Sequence, residues 1–176
     1  MSLFRIPGMN VDRLLDIVAP TPRFPVEVLQ EQWLESLLAP TVTPVPGSVV
    51  FCDLALGYAE HSGIYVGDGE IVHLNGRGRI ERVDADHFRR YPGGIGRAPA
   101  IYVSSRKGRA VGSATVAERA LQQVGRRRDY NLLLDNCHQF SAGCLSGSFD
   151  NPINFLTFLK DEARQHLKAK DWQRWG

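Results

Sequence analysis

The sequence predicts one domain that mixes short β-strands with helices, and three observations carry that expectation. At 176 residues the chain is long enough for one domain with a real core and too short for two comfortable ones. Its middle holds short apolar runs punctuated by glycine and proline, and its second half holds longer stretches of helical periodicity. A hydrophobic content of 43% with 23% charged residues is ordinary for a globular protein.

Residues 1–46 read as an N-terminal extension and residues 47–176 as the main domain. Asn10 is placed to cap a short helix through Val11, Leu14, Leu15 and Val18 that stops at Pro20. A second amphipathic helix carries Val26, Leu29, Trp33, Leu34 and Leu37 on one side, and Pro40, Pro44 and Pro46 stiffen the connector after it. These helices either pack on the domain or serve as a lid or partner-binding arm. Pro46-Gly47 is a turn, and Ser48 to Cys52 is an apolar run consistent with a buried strand. A hairpin follows over residues 60–73, then strands at Gly78 to Val83 and Pro99 to Ser104.

Helices dominate thereafter. Thr115-Val116-Ala117-Glu118 has capping-box spacing, with Ala117, Ala120, Leu121 and Val124 as the buried stripe and Gly125 as the stop. Another helix is expected to begin near Asn136, capped by it or by Asp135. Asn151-Pro152 offers a cap and a first-turn proline for the last helix, which turns Phe155, Phe158, Leu159 and Leu167 inward. The chain ends in Trp172 and Trp175 among basic residues, which reads as a frayed polar terminus or, alternatively, as a contact with a membrane interface.

A formal net charge of +2 gives no clear nucleic-acid site. The clusters Arg106-Lys107-Gly108-Arg109 and Arg126-Arg127-Arg128 read as solvated loop charge, with phosphate contact as the other reading. Three cysteines, an odd count, argue against a disulfide framework and fit a reducing compartment. The N-terminus lacks a basic start followed by an apolar run, so no signal peptide is expected. No stretch approaches the roughly 18 apolar residues that span a membrane. The expectation is a soluble, cytoplasmic protein of unknown oligomeric state.

Two fragments carry the chemistry: residues 60–73, with His61 and His73 on the hairpin, and Asp135-Asn136-Cys137-His138-Gln139-Phe140. In the first turn of its helix, Cys137 would meet free backbone N–H groups and the positive dipole end, which favour a thiolate and can hold a developing oxyanion. A cysteine with two histidines is the material of a nucleophile, its base and an orienting group. Whether the histidines meet depends on register. A two-residue Asp68-Gly69 turn sets His73 opposite Ile64, on the face away from His61. A three-residue Gly67-Asp68-Gly69 loop, or an equivalent bulge, sets it opposite Gly63 and diagonal to His61. The sequence permits both. Cys52 and Cys144 read as core residues, and His87, His138 and His166 as surface or structural ones.

The run His61-Ser62-Gly63-Ile64-Tyr65-Val66-Gly67-Asp68-Gly69 with His73, followed by Tyr130 to Asp135 and Asn136-Cys137, resembles the lecithin:retinol acyltransferase-like family. That family is a circularly permuted branch of the NlpC/P60 papain-like superfamily, and the resemblance covers roughly residues 46–146. It implies an α+β fold in which a small antiparallel sheet packs against the cysteine-bearing helix. It implies acyl transfer or hydrolysis through a thioester, with Cys137 as nucleophile, His61 as base and His73 as the orienting group. The implied substrate is acyl-bearing, whether lipid, peptide or thioester, and no cofactor is implied. Animal members typically read Asn-Cys-Glu-His-Phe where this chain has Asn136-Cys137-His138-Gln139-Phe140, and the hydrophobic tail of several lipid-acting members is absent. Two other classes compete: a zinc module of Cys52, Cys137, His61 and His73, which lacks the usual ligand spacings, and a silent papain-like scaffold that binds a partner.

Overall fold

A computed structural model of the chain describes residues 40–54, 60–90, 96–128 and 136–176, which belong to one compact unit, Ala39–Gly176. The helices expected before residue 40, and Asp135 as a cap, lie outside the described residues.

Eight strands form one sheet: β1 (Thr41–Val42), β2 (Val49–Asp53), β3 (Glu60–Gly67), β4 (Glu70–Leu74), β5 (Ile80–Asp84), β6 (Tyr102–Arg106), β7 (Arg109–Ala110) and β8 (Asp171–Trp175). Their order is β1-β8-β6-β2-β3-β4-β5, with β7 hydrogen-bonded to β6. Every pair is antiparallel except β1 with β8. The helices among the described residues are α1 (Ala85–Phe88), α2 (Ala114–Leu121), α3 (Cys137–Ser146) and α4 (Leu156–Leu167). The α+β expectation holds, although the sheet is larger than expected and mixed.

Successive strand residues point to opposite faces, which gives two cores. Val49, Phe51, Ile64, Val72 and Leu74 pack under α2, α3 and α4, around Phe140, Leu145 and Leu159. Val50, Cys52, Tyr65, Ile71 and Val103 pack on the other face with Phe88 of α1 and Ile101.

Three expectations are corrected. The C-terminus is not frayed: β8 pairs with β6 from Tyr102↔Arg174 to Ser105↔Asp171 and parallel to β1 on its other side. Trp172 packs against the helix-side core and Trp175 against the opposite one, as strand alternation requires. Secondly, α2 starts one residue before Thr115, and its N-cap, Ser113, makes no side-chain cap bond, so the capping box does not form. The buried stripe is Val116, Ala117 and Ala120, whereas Leu121 and Val124 are 40% and 41% exposed; Leu121 is the last residue of this short helix and Val124 lies beyond it. Thirdly, α4 begins at Leu156, because Asn151 bonds elsewhere. Its Oδ1 accepts from the Ile153 N–H, and its Nδ2 donates to the carbonyls of Gln139 and Ser148. The helix buries Leu156, Leu159, Ala163 and Leu167, and leaves Phe155 and Phe158 59% and 51% exposed.

Candidate active site

The hairpin resolves the register question with a tight turn and a bulge. Asp68 and Gly69 take φ of 52° and 78°, the two positive values of a tight two-residue turn, and Gly67 pairs with Glu70. That turn alone would separate the histidines. The next pairs, however, are Tyr65↔Ile71 and Ile64↔Val72, so Val66 is an extra residue bulged out of β3. Gly67, at φ 108°, accommodates the bulge without the penalty a Cβ would bring. Carried one step on, the register sets Gly63 across from His73 and His61 on the diagonal. His61 Nε2 and His73 Nδ1 lie 2.6 Å apart with their rings nearly perpendicular, at 82°.

The floor under this pair is Phe88, whose ring lies 4.8 Å from the His61 centroid and 5.6 Å from that of His73. Gly63 makes room for it: a Cβ there would come 2.8 Å from Ile71 Cγ2 and 3.1 Å from Phe88 Cε2. Cys52, opposite His61 on β2, is fully buried, and its thiol donates to the Phe88 carbonyl at 3.8 Å. Burial pushes that thiol up to about 12, so Cys52 is an inert core residue, as expected. On the far side, β5 sets Glu81 directly opposite His73, with Glu81 Oε1 3.4 Å from His73 Nε2. The contact falls short of hydrogen-bond geometry, which leaves the buried Nε2 without a full partner.

Cys137 opens α3 as expected. Asn136 is the cap, accepting from the His138 and Gln139 N–H groups at 2.9 and 3.2 Å, and its own Nδ2 donates to the Asn154 carbonyl. Apart from its own thiol, the Cys137 N–H meets no acceptor among the described residues, as is usual for a first-turn donor. Its thiol points at the Glu60 carbonyl, 3.9 Å away, which belongs to the peptide joining Glu60 to His61. No hydrogen bond joins Cys137 to either imidazole among the described residues. The helix start alone favours a thiolate, yet burial wins: the thiol is 3% exposed and pushed up, while hydrogen bonding from Ser62 and from the N–H groups of Cys137 and His138 pulls the other way.

His61 is held well below the ordinary histidine range by burial, and by charge repulsion from His73 and His138. His73 is lowered to about 4 by burial, which outweighs the opposing pull of Glu81. At neutral pH both imidazoles are uncharged. Beneath Cys137, His138 Nδ1 lies 2.9 Å from Ser62 Oγ, which lies 3.1 Å from Ser141 Oγ. This buried cluster places His138 as a structural group between β3 and α3.

The structure therefore brings His61 and His73 together and sets the Cys137 thiol against the Glu60 carbonyl that precedes His61, with no hydrogen bond to its ring among the described residues. Sequence reasoning missed Glu81 and Phe88. The signal for Glu81 was the Asn75–Gly78 turn, which fixes β5 against β4. No three of the His, Cys, Asp and Glu side chains among the described residues converge as a metal cage, and the zinc grouping does not form. No helix among the described residues is long and apolar enough to cross a membrane.

No curated protein matches the chain closely enough to count as a relative. The family model described as lecithin retinol acyltransferase matches residues 43–150, a stretch that runs from before β2 to beyond α3. With more than half of its length matched, including the histidine hairpin and the cysteine helix, the chain belongs to the lecithin retinol acyltransferase family, whose broad chemistry is acyl transfer and hydrolysis.

Proposed function

We propose that the protein is a thiol-dependent acyltransferase or hydrolase acting on an ester, thioester or amide, with Cys137 as nucleophile, His61 as base and His73 as its orienting partner. One observation carries the reading: His61 engages His73 through Nε2 and keeps Nδ1 free of hydrogen bonds among the described residues, on the strand whose first carbonyl holds the Cys137 thiol.

In the resting site both thiol and imidazole are neutral, so proton transfer accompanies attack rather than preceding it. The thiol leaves the Glu60 carbonyl and its proton passes to His61 Nδ1. Sγ bonds to the acyl carbon, and the carbonyl electrons move onto oxygen. The Cys137 N–H, at the positive end of α3 and bonded to no acceptor but its own thiol among the described residues, then donates to that oxygen. Collapse expels the leaving group, which takes the proton from His61, and leaves a thioester on Cys137. Water or an acceptor hydroxyl or amine then attacks the thioester, with His61 again as base. How well water is excluded decides between hydrolysis and transfer.

A second reading, a silent scaffold, is favoured by the burial of the Cys137 thiol and by its hydrogen bond to a backbone carbonyl in place of an imidazole. Iodoacetamide alkylation with the adduct located by peptide mass separates the two. The enzyme reading expects Cys137 to react ahead of Cys52 and Cys144, and His61→Ala to slow it about a hundredfold or more. Equal slow reaction of all three cysteines would establish the scaffold.

A further inference from the structure

We propose that Glu81 is a positioning residue of this site: its carboxylate fixes the tautomer of His73 and, through it, that of His61, so that Nδ1 of His61 keeps the lone pair. The catalytic consequence rests on the reading of Cys137 and His61 given above, whereas the tautomers follow from geometry alone.

Glu81 Oε1 is held in place independently of the histidines. Asn75 Nδ2 donates to it at 2.8 Å, and Asn75 is itself clamped, its Oδ1 accepting from the backbone N–H groups of Arg77 and Arg79 at 2.9 and 3.0 Å. The β4–β5 register sets Glu81 directly opposite His73, and the same Oε1 stands 3.4 Å from His73 Nε2. That nitrogen is buried with no other partner among the described residues. A lone pair on it would face a carboxylate oxygen across a desolvated gap, so the proton belongs on Nε2.

The rest follows by exclusion. With Nε2 protonated, neutral His73 presents a lone pair at Nδ1, and the 2.6 Å contact requires His61 Nε2 to donate. Neutral His61 then has its lone pair at Nδ1, the nitrogen free to accept a proton. When it does so, the positive charge on His61 is stabilised by the His73 Nδ1 lone pair that accepts from its Nε2–H, with His73 in turn oriented by Glu81. Around the pair stand Cys52 on β2, His87 on α1, and Cys137 and His138 on α3. Of the groups near the two imidazoles, Glu81 is the one carboxylate in ion-pair contact among the described residues.

The test uses the full chain labelled with 15N at histidine, read by long-range 1H–15N spectra at pH 7.5. Wild type is expected to show His61 and His73 both protonated at Nε2 only. In Glu81→Gln, whose amide presents donor and acceptor alike, mixed tautomers are expected. Iodoacetamide alkylation of Cys137 should slow roughly tenfold, less than the hundredfold or more expected for losing the base itself, with Glu81→Asp regaining part of the rate. A wild-type His61 protonated at Nδ1 would overturn the assignment. So would Glu81→Gln with unchanged tautomers and an unchanged alkylation rate. If wild-type Cys137 reacts no faster than Cys144, the nucleophile reading falls and takes the catalytic part of the proposal with it. The same spectra still decide the tautomers.

Discussion

His61 Nε2 and His73 Nδ1 stand 2.6 Å apart across twelve residues of hairpin because one residue, Val66, is bulged out of β3. The tight Asp68-Gly69 turn by itself would point the two imidazoles to opposite faces of the sheet. Turn and bulge together yield the pairing of a longer loop while keeping a compact hairpin tip.

This arrangement makes Gly63 the most constrained position of the hairpin. A methyl group there meets Ile71, the Val72 carbonyl and Phe88 at 2.8 to 3.1 Å. Gly63→Ala should therefore cost about 1–3 kcal/mol in urea unfolding. It should also lower the Cys137 alkylation rate, since Phe88 supports both imidazoles. An alanine variant with wild-type stability and reactivity would show that the floor is not tight.

Acid should weaken the fold through its buried histidines. His73 and His138 each sit at about 4 in the folded protein, against 6.5 ordinarily. Between those values the unfolded chain binds protons that the folded chain refuses, so stability is intact above pH 6.5 and is lost as pH falls towards 4. At pH 5 each group accounts for roughly 2 kcal/mol of that loss. Urea midpoints at pH 7.5 and 5 should show the drop in wild type and a smaller drop in His138→Gln. Identical pH slopes for the two proteins would contradict the burial of His138.

Much of the site was legible in the sequence because its parts are local. Asn136 and Cys137 announce a capped helix start, and the alternation of residues 60–73 confines the histidines to two registers. The choice between registers was not legible: Gly67 and Gly69 permit tight turn and loop alike, and the bulge at Val66 leaves no mark in the local pattern. The thiol's position was not legible either, since a helix start argues for a thiolate and only the three-dimensional packing reveals the opposing burial. The last helix was misread because Asn151 bonds back to α3, a tertiary contact that overrides its local capping preference. Nor does periodicity near residue 172 announce β8, whose place between β1 and β6 is set entirely by distant strands.

The revised face of α4 is open to a direct comparison. Leu159 is fully buried and Phe158 is 51% exposed. Leu159→Ala should cost about 2–5 kcal/mol by leaving a cavity, and Phe158→Ser no more than about 0.5 kcal/mol. Equal costs in thermal or urea unfolding would restore Phe158 to the core.

The most direct test of the central claim is to trap the acyl-enzyme. The full chain would be mixed with a p-nitrophenyl ester of a short fatty acid, quenched in acid, and examined by intact and peptide mass. The predicted result is one acyl group, carried as a thioester on Cys137, absent from Cys137→Ala and formed at least a hundredfold more slowly in His61→Ala. An acyl group found elsewhere, or a His61→Ala variant acylated at the wild-type rate, would contradict the account.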